Sequence, residues 1–134
     1  MNDSIDFIID QGANWTYTVF VQNDPVDPSN PTNPANAVNL TGCSAVMTAA
    51  AYLGSTAYIF QLSSAAGALV INAAAGSVSW NMPASQTSTF AATGPANPLQ
   101  ATAPMLGYYT LKITNAAGAV VRECSGKLYL NLDV

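Results

Sequence analysis

Alternation with a period of two is the feature that most narrows what this chain can become. It is clearest between Leu106 and Leu132. There, two alternating runs flank Asn115-Ala116-Ala117-Gly118, and a third run follows a Ser125-Gly126-Lys127 break. Side chains on a strand point to opposite faces in turn, so such runs commit one face to a core. The stretch reads as a three-strand meander.

The same period recurs upstream. Ser4 to Asp10 places Ile5, Phe7 and Ile9 on one side and reads as a short edge strand with an acidic outer face. Asn14 to Gln22 aligns Trp15, Tyr17, Val19 and Val21. Cys43 to Ala51 is a small-residue strand with Cys43, Ala45 and Met47 in phase, and Ala57 to Leu62 returns with Tyr58, Phe60 and Leu62 together. Leu69-Val70-Ile71 is a strand fragment, and Ser77 to Met82 carries Val78, Trp80 and Met82 on one face. Pro83 to Phe90 is the one candidate helix, a turn or two long, with Pro83 suited to the first turn. Roughly eight short strands separated by turn signals predict an all-β chain, an antiparallel β-sandwich. With 134 residues the chain reads as one domain, 1–134, able to bury a core without disulfide or metal.

Two segments break the pattern. In residues 23–36, Pro25, Pro28, Pro31 and Pro34 recur every third position among Asp, Ser, Asn and Thr. That spacing suits a polyproline II turn, and prolines without N–H groups do not belong in a central strand. Residues 91–105 hold Gly94-Pro95, Asn97-Pro98 and Pro104 and read as a second Pro-rich loop. A long loop without structure of its own is either a plain surface loop or an arm lying on a neighbour. Pro25, Pro28, Pro31, Pro34, Pro95 and Pro98 are therefore candidate interface residues. Tyr108 joins them: its neighbour Tyr109 must face the opposite way, so one of the two is free to meet solvent or a partner.

Charge sharpens the expectation. Only 7% of residues are Asp, Glu, Lys or Arg, and no such residue stands between Asp27 and Lys112. An ordinary chain carries about a quarter. A neutral surface of Ala, Ser, Thr, Asn and Gly does little to oppose self-association. Two readings compete: an extracellular-type β domain with a hydroxyl-rich surface, and a subunit of a large assembly, which is favoured. All three cations, Lys112, Arg122 and Lys127, fall in the final hairpin, which is expected to face solvent while the neutral stretch before it forms contacts. Three cations against a net charge of -4 leave no footprint for nucleic acid. No apolar run is long enough for a membrane-spanning helix. Met1-Asn2-Asp3-Ser4 lacks the positive region of a secretory leader, so glycosylation at Asn14 or Asn39 is not expected.

The inventory argues against catalysis. There is no His, hence no imidazole base and no usual Ser or Cys triad. Cys43 and Cys124 are too few for zinc and read as two buried thiols, although a cross-sheet disulfide remains open. Glu123 beside Arg122 reads as a surface ion pair, and Asp24 to Asp27 lacks the ligand spacing of a calcium loop. No cofactor is expected. Trp15, Tyr17, Trp80, Tyr108 and Tyr109 could line a sugar-binding face, but their alternation with small polar residues favours core.

Several segments together resemble short bacteriophage tail and baseplate structural proteins. They are Gln11-Gly12-Ala13-Asn14-Trp15, Leu40-Thr41-Gly42 leading through Cys43-Ser44-Ala45-Val46 to Met47, and the Ala75-Gly76-Ser77-Val78 step. The last is Gly107-Tyr108-Tyr109-Thr110-Leu111, continuing through Val121-Arg122 to Gly126-Lys127-Leu128. The match covers most of the chain, with the two proline-rich segments looking like insertions. The resemblance implies an immunoglobulin-like virion domain, similar to the N-terminal domain of phage baseplate upper proteins, and no catalytic residue. It implies a multi-copy structural protein with other virion proteins as partners, placed at the tail, baseplate or fibre attachment. A capsid cement protein and, in another class, a carbohydrate-binding module are the alternatives.

Overall fold

The computed structural model describes residues 3–21 and 38–132, without the side chains of residues 3 and 121–123. Its elements, in chain order, are β1 (Asp3–Ser4), β2 (Phe7–Asp10), β3 (Trp15–Phe20), β4 (Ser44–Ala50), β5 (Tyr58–Ser63), β6 (Leu69–Asn72) and β7 (Ser77–Met82). They continue with α1 (Ala84–Thr87), β8 (Ala96–Asn97), β9 (Gln100–Thr114) and β10 (Val120–Asn131). Just over half of the described residues are strand and only one short turn is helix, as the period-two pattern predicts. One sheet runs β1-β10-β9-β4-β5, with β2 also on β10 and β8 on β9; the other runs β3-β7-β6.

The two sheets share one core. The larger contributes Met47, Phe60, Leu62, Tyr109, Leu111, Leu128 and Leu130, and the smaller contributes Trp15, Val19, Leu69, Val78, Trp80 and Met82. Every second residue of β7, Val78, Trp80 and Met82, is buried, as its sequence predicts. Phe7 comes from the larger sheet and meets rings from both. Its centroid lies 5.4 Å from Trp15, 4.7 Å from Tyr17, 5.9 Å from Trp80 and 5.3 Å from Tyr109. The first three are edge-to-face and the fourth is tilted, and aromatic pairs at these separations add to the area they bury.

The short helix depends on a distant residue. Pro83 is its N-cap and offers no side-chain acceptor. The Asn14 Oδ1 accepts the Ala84 N–H at 2.8 Å instead, across the fold. Thr87, fully buried, donates its hydroxyl to the Ala13 carbonyl at 2.7 Å and accepts the Gly12 N–H at 3.2 Å. So α1 is one turn held against the β2–β3 connection by side chains rather than by its own propensity.

Four expectations change. The final stretch is one long hairpin, β9 and β10, not a three-strand meander, and Ser125-Gly126-Lys127 lies inside β10. Gly126 serves a close approach rather than a turn: a Cβ there would stand 2.1 Å from the Ile5 carbonyl oxygen. Residues 91–105 are only partly loop, since β8 pairs antiparallel with the first half of β9, and Pro104 sits in β9 opposite Ala96. The pairing is not antiparallel throughout, because β1 and β2 both run parallel to β10. Finally, Ser4 to Asp10 is two segments in one register, with Ser4 opposite Ser125 and Phe7 opposite Leu128. Between them the Asp6 carboxylate accepts the Lys127 backbone N–H at 2.8 Å. The first-chain strand does occupy a sheet edge, and Ile9 and Phe7 face the core as expected.

Gly126→Ala is expected to lose about 1–3 kcal/mol of stability, because the backbone of Ile5 must move away from β10. Ser125→Ala, one position earlier, should stay within about 0.5 kcal/mol of the parent. Urea unfolding at constant m checks both.

Candidate interaction surface

Tyr108 and Tyr109 divide the two faces of the larger sheet. Tyr109 is buried in the core, and Tyr108 is half-buried on the outer face. Their position depends on Gly107. A Cβ at that residue would lie 2.3 Å from the Ala50 carbonyl oxygen and 2.9 Å from Ile59 Cδ1. Glycine lets β9 close against the end of β4, where Ala50 stands opposite Tyr108.

Beyond Ala50 the chain turns through residues 51–57. A register shift between Ala49 and Ala50 marks the turn's root. Within it the Ser55 N–H donates to the Tyr52 carbonyl at 3.3 Å, and the Ser55 hydroxyl donates to the Ala57 carbonyl at 3.2 Å. The turn carries Tyr52 and Leu53 at 65% and 76% exposure, and Tyr58 beyond it is 52% exposed. These large apolar side chains gather beside Tyr108.

Three shallow grooves meet at Tyr108. One, of about 400 Å³, runs between Tyr52, Ile59, Pro95 and Met105. A second, of about 270 Å³, is lined by Tyr52, Leu53, Tyr58, Thr110 and Lys112. The third, of about 470 Å³, lies between Leu53, Asp6, Ser125 and Lys127. Each is open, with Tyr108 as the shared ridge. Such a surface suits an extended chain or a second protein better than a small molecule, which calls for an enclosed pocket. Apolar side chains clustered this way and rimmed by polar groups are characteristic of an interaction site.

The expected interface residues separate into three groups. Pro25, Pro28, Pro31 and Pro34 lie outside the described residues. Pro95 and Tyr108 are brought together in one groove. Pro98 is exposed in the β8–β9 turn beside Leu99, itself 96% exposed, and is not among the residues lining the three grooves. A smaller apolar face near there joins Ala101, Pro104 and Leu132. Lys112 and Lys127 are exposed on the outer face of the β9–β10 hairpin and its inner face is core, but that outer face also carries Tyr108, so the hairpin is not set apart from the candidate surface as expected. The sequence reading missed Tyr52, Leu53 and Tyr58 as surface residues. The signal was present for the first two: large apolar residues directly before Gly54 in a turn have no core face to occupy. Alternation puts Tyr58 in phase with the buried Phe60 and Leu62 and does not register the shift at Ala50, beside which Tyr58 is exposed.

The other candidate chemistry resolves simply. Trp15, Trp80 and Tyr109 are buried against one another or against Phe7, so their faces are not available to a sugar. No disulfide joins Cys43 to Cys124; Cys43 is half-buried just before β4, and Cys124 is in the core. Among the described residues no group of three or more His, Cys, Asp or Glu could hold a metal. Burial, together with the Cys124 side chain and the Asp6 carboxylate, pushes the Tyr109 phenol well above its usual range. The neutral phenol donates to the Ile5 carbonyl at 2.6 Å. No family model and no curated protein matches the chain.

Tyr109→Phe should cost about 1 kcal/mol by removing that hydrogen bond. A raised folded-state pKa gives stability that is complete below the unfolded value of about 10 and lost as pH rises above it. The parent should therefore lose up to about 1.4 kcal/mol per pH unit from this one proton above about pH 10, and Tyr109→Phe should lack that contribution. Chemical denaturation between neutral and alkaline pH measures the difference in slope.

Proposed function

We propose that this chain is a non-enzymatic structural protein of a bacteriophage particle, present in many copies, that links tail, baseplate or fibre-attachment components through protein–protein contacts. The observation that carries the reading is the apolar rim of Tyr52, Leu53, Tyr58 and Tyr108, set in a stretch with no formal charge from residue 28 to residue 111. A soluble monomer gains nothing by exposing a cluster of large apolar side chains whose charged neighbours, Asp6, Lys112 and Lys127, stand only at its margin. A subunit that spends its working life against neighbours gains about 25 cal/mol for each Å² of that surface it buries, less the cost of ordering.

The domain is proposed to be immunoglobulin-like. Strand order supports this: β10-β9-β4-β5 face β3-β7-β6, and the first strand pairs parallel with the last. An immunoglobulin sandwich likewise packs two sheets of this size face to face, joined by Greek-key connections. The segments that resemble phage tail and baseplate proteins fall at its structural joints. Leu40-Thr41-Gly42 leads into β4, and Gly107-Tyr108-Tyr109 brings β9 against Ala50. The protein is made in the bacterial cytoplasm and works in the virion. Its chemistry there is surface complementarity, with no reaction.

The test is direct. Quantitative mass spectrometry of purified particles from a host carrying this gene is expected to find the chain in multiple copies. Leu53→Asp should fold normally and be incorporated at least about ten-fold less, because burying an unpaired carboxylate costs more than the contact returns. Absence of the parent chain from purified particles would reject the reading.

A further inference from the structure

We infer that the tyrosine-ridged groove is a receptor for the proline-repeat segment of a second copy of this chain. The proposal names the partner for the assembly surface described above and rests on that reading for its biological setting. Three observations support it, one on each side and one relating the two.

The receptor side is aromatic and basic. Tyr52 and Tyr108 line one groove with Pro95 and a second with Tyr58, and Lys112 and Lys127 stand exposed at the margins. Asp6 is the one carboxylate among the described residues lining them, and its Oδ1 already accepts the Lys127 backbone N–H. Grooves walled by aromatic side chains are the recognised means of holding proline-rich chains, because a polyproline II strand presents flat rings and free carbonyls and has little entropy left to lose.

The ligand side has the matching pattern. Pro25, Pro28, Pro31 and Pro34 repeat with the three-residue period of a polyproline II helix, so all four prolines fall along one edge. Neighbouring prolines would then be about 9 Å apart and the run about 30 Å long. Asp24 and Asp27 stand at its start, and the segment has no cation. The charges are complementary: two carboxylates on the segment and two ammonium groups beside the groove.

The third observation is where each side sits. The segment between Val21 and Val38 begins and ends at one place, since the Val38 N–H donates to the Val21 carbonyl at 3.0 Å beside Gly76. From that end of the sheet β4 runs from Ser44 to Ala50, about 20 Å, before the chain reaches Tyr52 and Leu53. Root and groove are at opposite ends of the domain. A segment pinned at both ends would have to double back to touch its own groove, presenting only its tip. A second copy, stacked end to end, can lay the full run along the tyrosines. The contact is then heterologous, and repetition builds a ring or a filament.

A fluorescein-labelled synthetic peptide of residues 23–36 is titrated into the full chain carrying Pro28→Ala and Pro31→Ala, which weakens competition from its own segment. Saturable binding is expected. It should fall at least about ten-fold when Tyr58→Ser or Tyr108→Ala is added, or when the peptide carries the same two alanines, a loss of about 1.4 kcal/mol or more. Raising salt from about 50 mM to about 500 mM should weaken it a few-fold, as exposed ion pairs are screened. Leu53→Ser is the parallel variant should either tyrosine change impair folding. No binding, affinity indifferent to these residues, or amide shifts mapping to the β6 edge of the smaller sheet instead would each overturn the inference. Failure here with particle incorporation intact rejects only this partner. Peptide binding by a chain absent from particles would retain the groove and reject the virion setting.

Discussion

The ring of Phe7 is the point on which the rest of the structure depends. It lies in a four-residue strand that pairs only with β10 at the margin of the larger sheet, yet four aromatic rings from both layers pack around it. Those contacts exist only because β2 runs beside β10 in parallel register, with Phe7 opposite Leu128. The register is in turn held at the Ile5–Asp6 interruption, where Gly126 admits a carbonyl, Tyr109 donates to it and Asp6 replaces a backbone acceptor. The cluster accepts one cost. The buried Trp80 Nε1 has no hydrogen-bond partner among the described residues, a loss of about 1–3 kcal/mol that ring packing must exceed.

How much of this was legible in the sequence follows from what each pattern encodes. Period-two alternation reports which face of a strand is buried, and it placed Val78, Trp80 and Met82, and Ala45 with Met47, correctly. It carries no information about strand direction or partner. The parallel edge formed by β1 and β2 was therefore invisible, as was the order of the strands within each sheet. Glycine was misread for the same reason. Ser125-Gly126-Lys127 looks like a turn because glycine is common in turns, but the residue is required by a carbonyl that arrives from residue 5. Pro104 was assigned to a loop because proline lacks an N–H, yet a short outlying pairing such as β8 with β9 tolerates it.

The interaction surface was half legible. Tyr108 was identifiable from the bare fact that adjacent strand residues face opposite ways, and Pro95 from its place in a Pro-rich segment. What assembled them into one groove was the β4–β5 turn, whose course depends on a register shift that no local pattern announces. The surface therefore combines residues from distant parts of the chain, each unremarkable alone. Its apolar character is compatible with solubility because the flanking lysines of β9 and β10 supply charge at the margin rather than at the centre.

The parallel pairing of the first strand with β10 also sets an order of events during synthesis. Residues 3–10 leave the ribosome early but have no partner until residues 124–131 have been made. Such distant pairings must wait for nearly the whole domain and slow its folding. Until then Phe7 lacks its setting, and the strands that carry Tyr108 and Lys127 are not in register with each other. The groove is therefore among the last features to appear. A growing chain presents no complete groove until β10 has been made and has paired with β9.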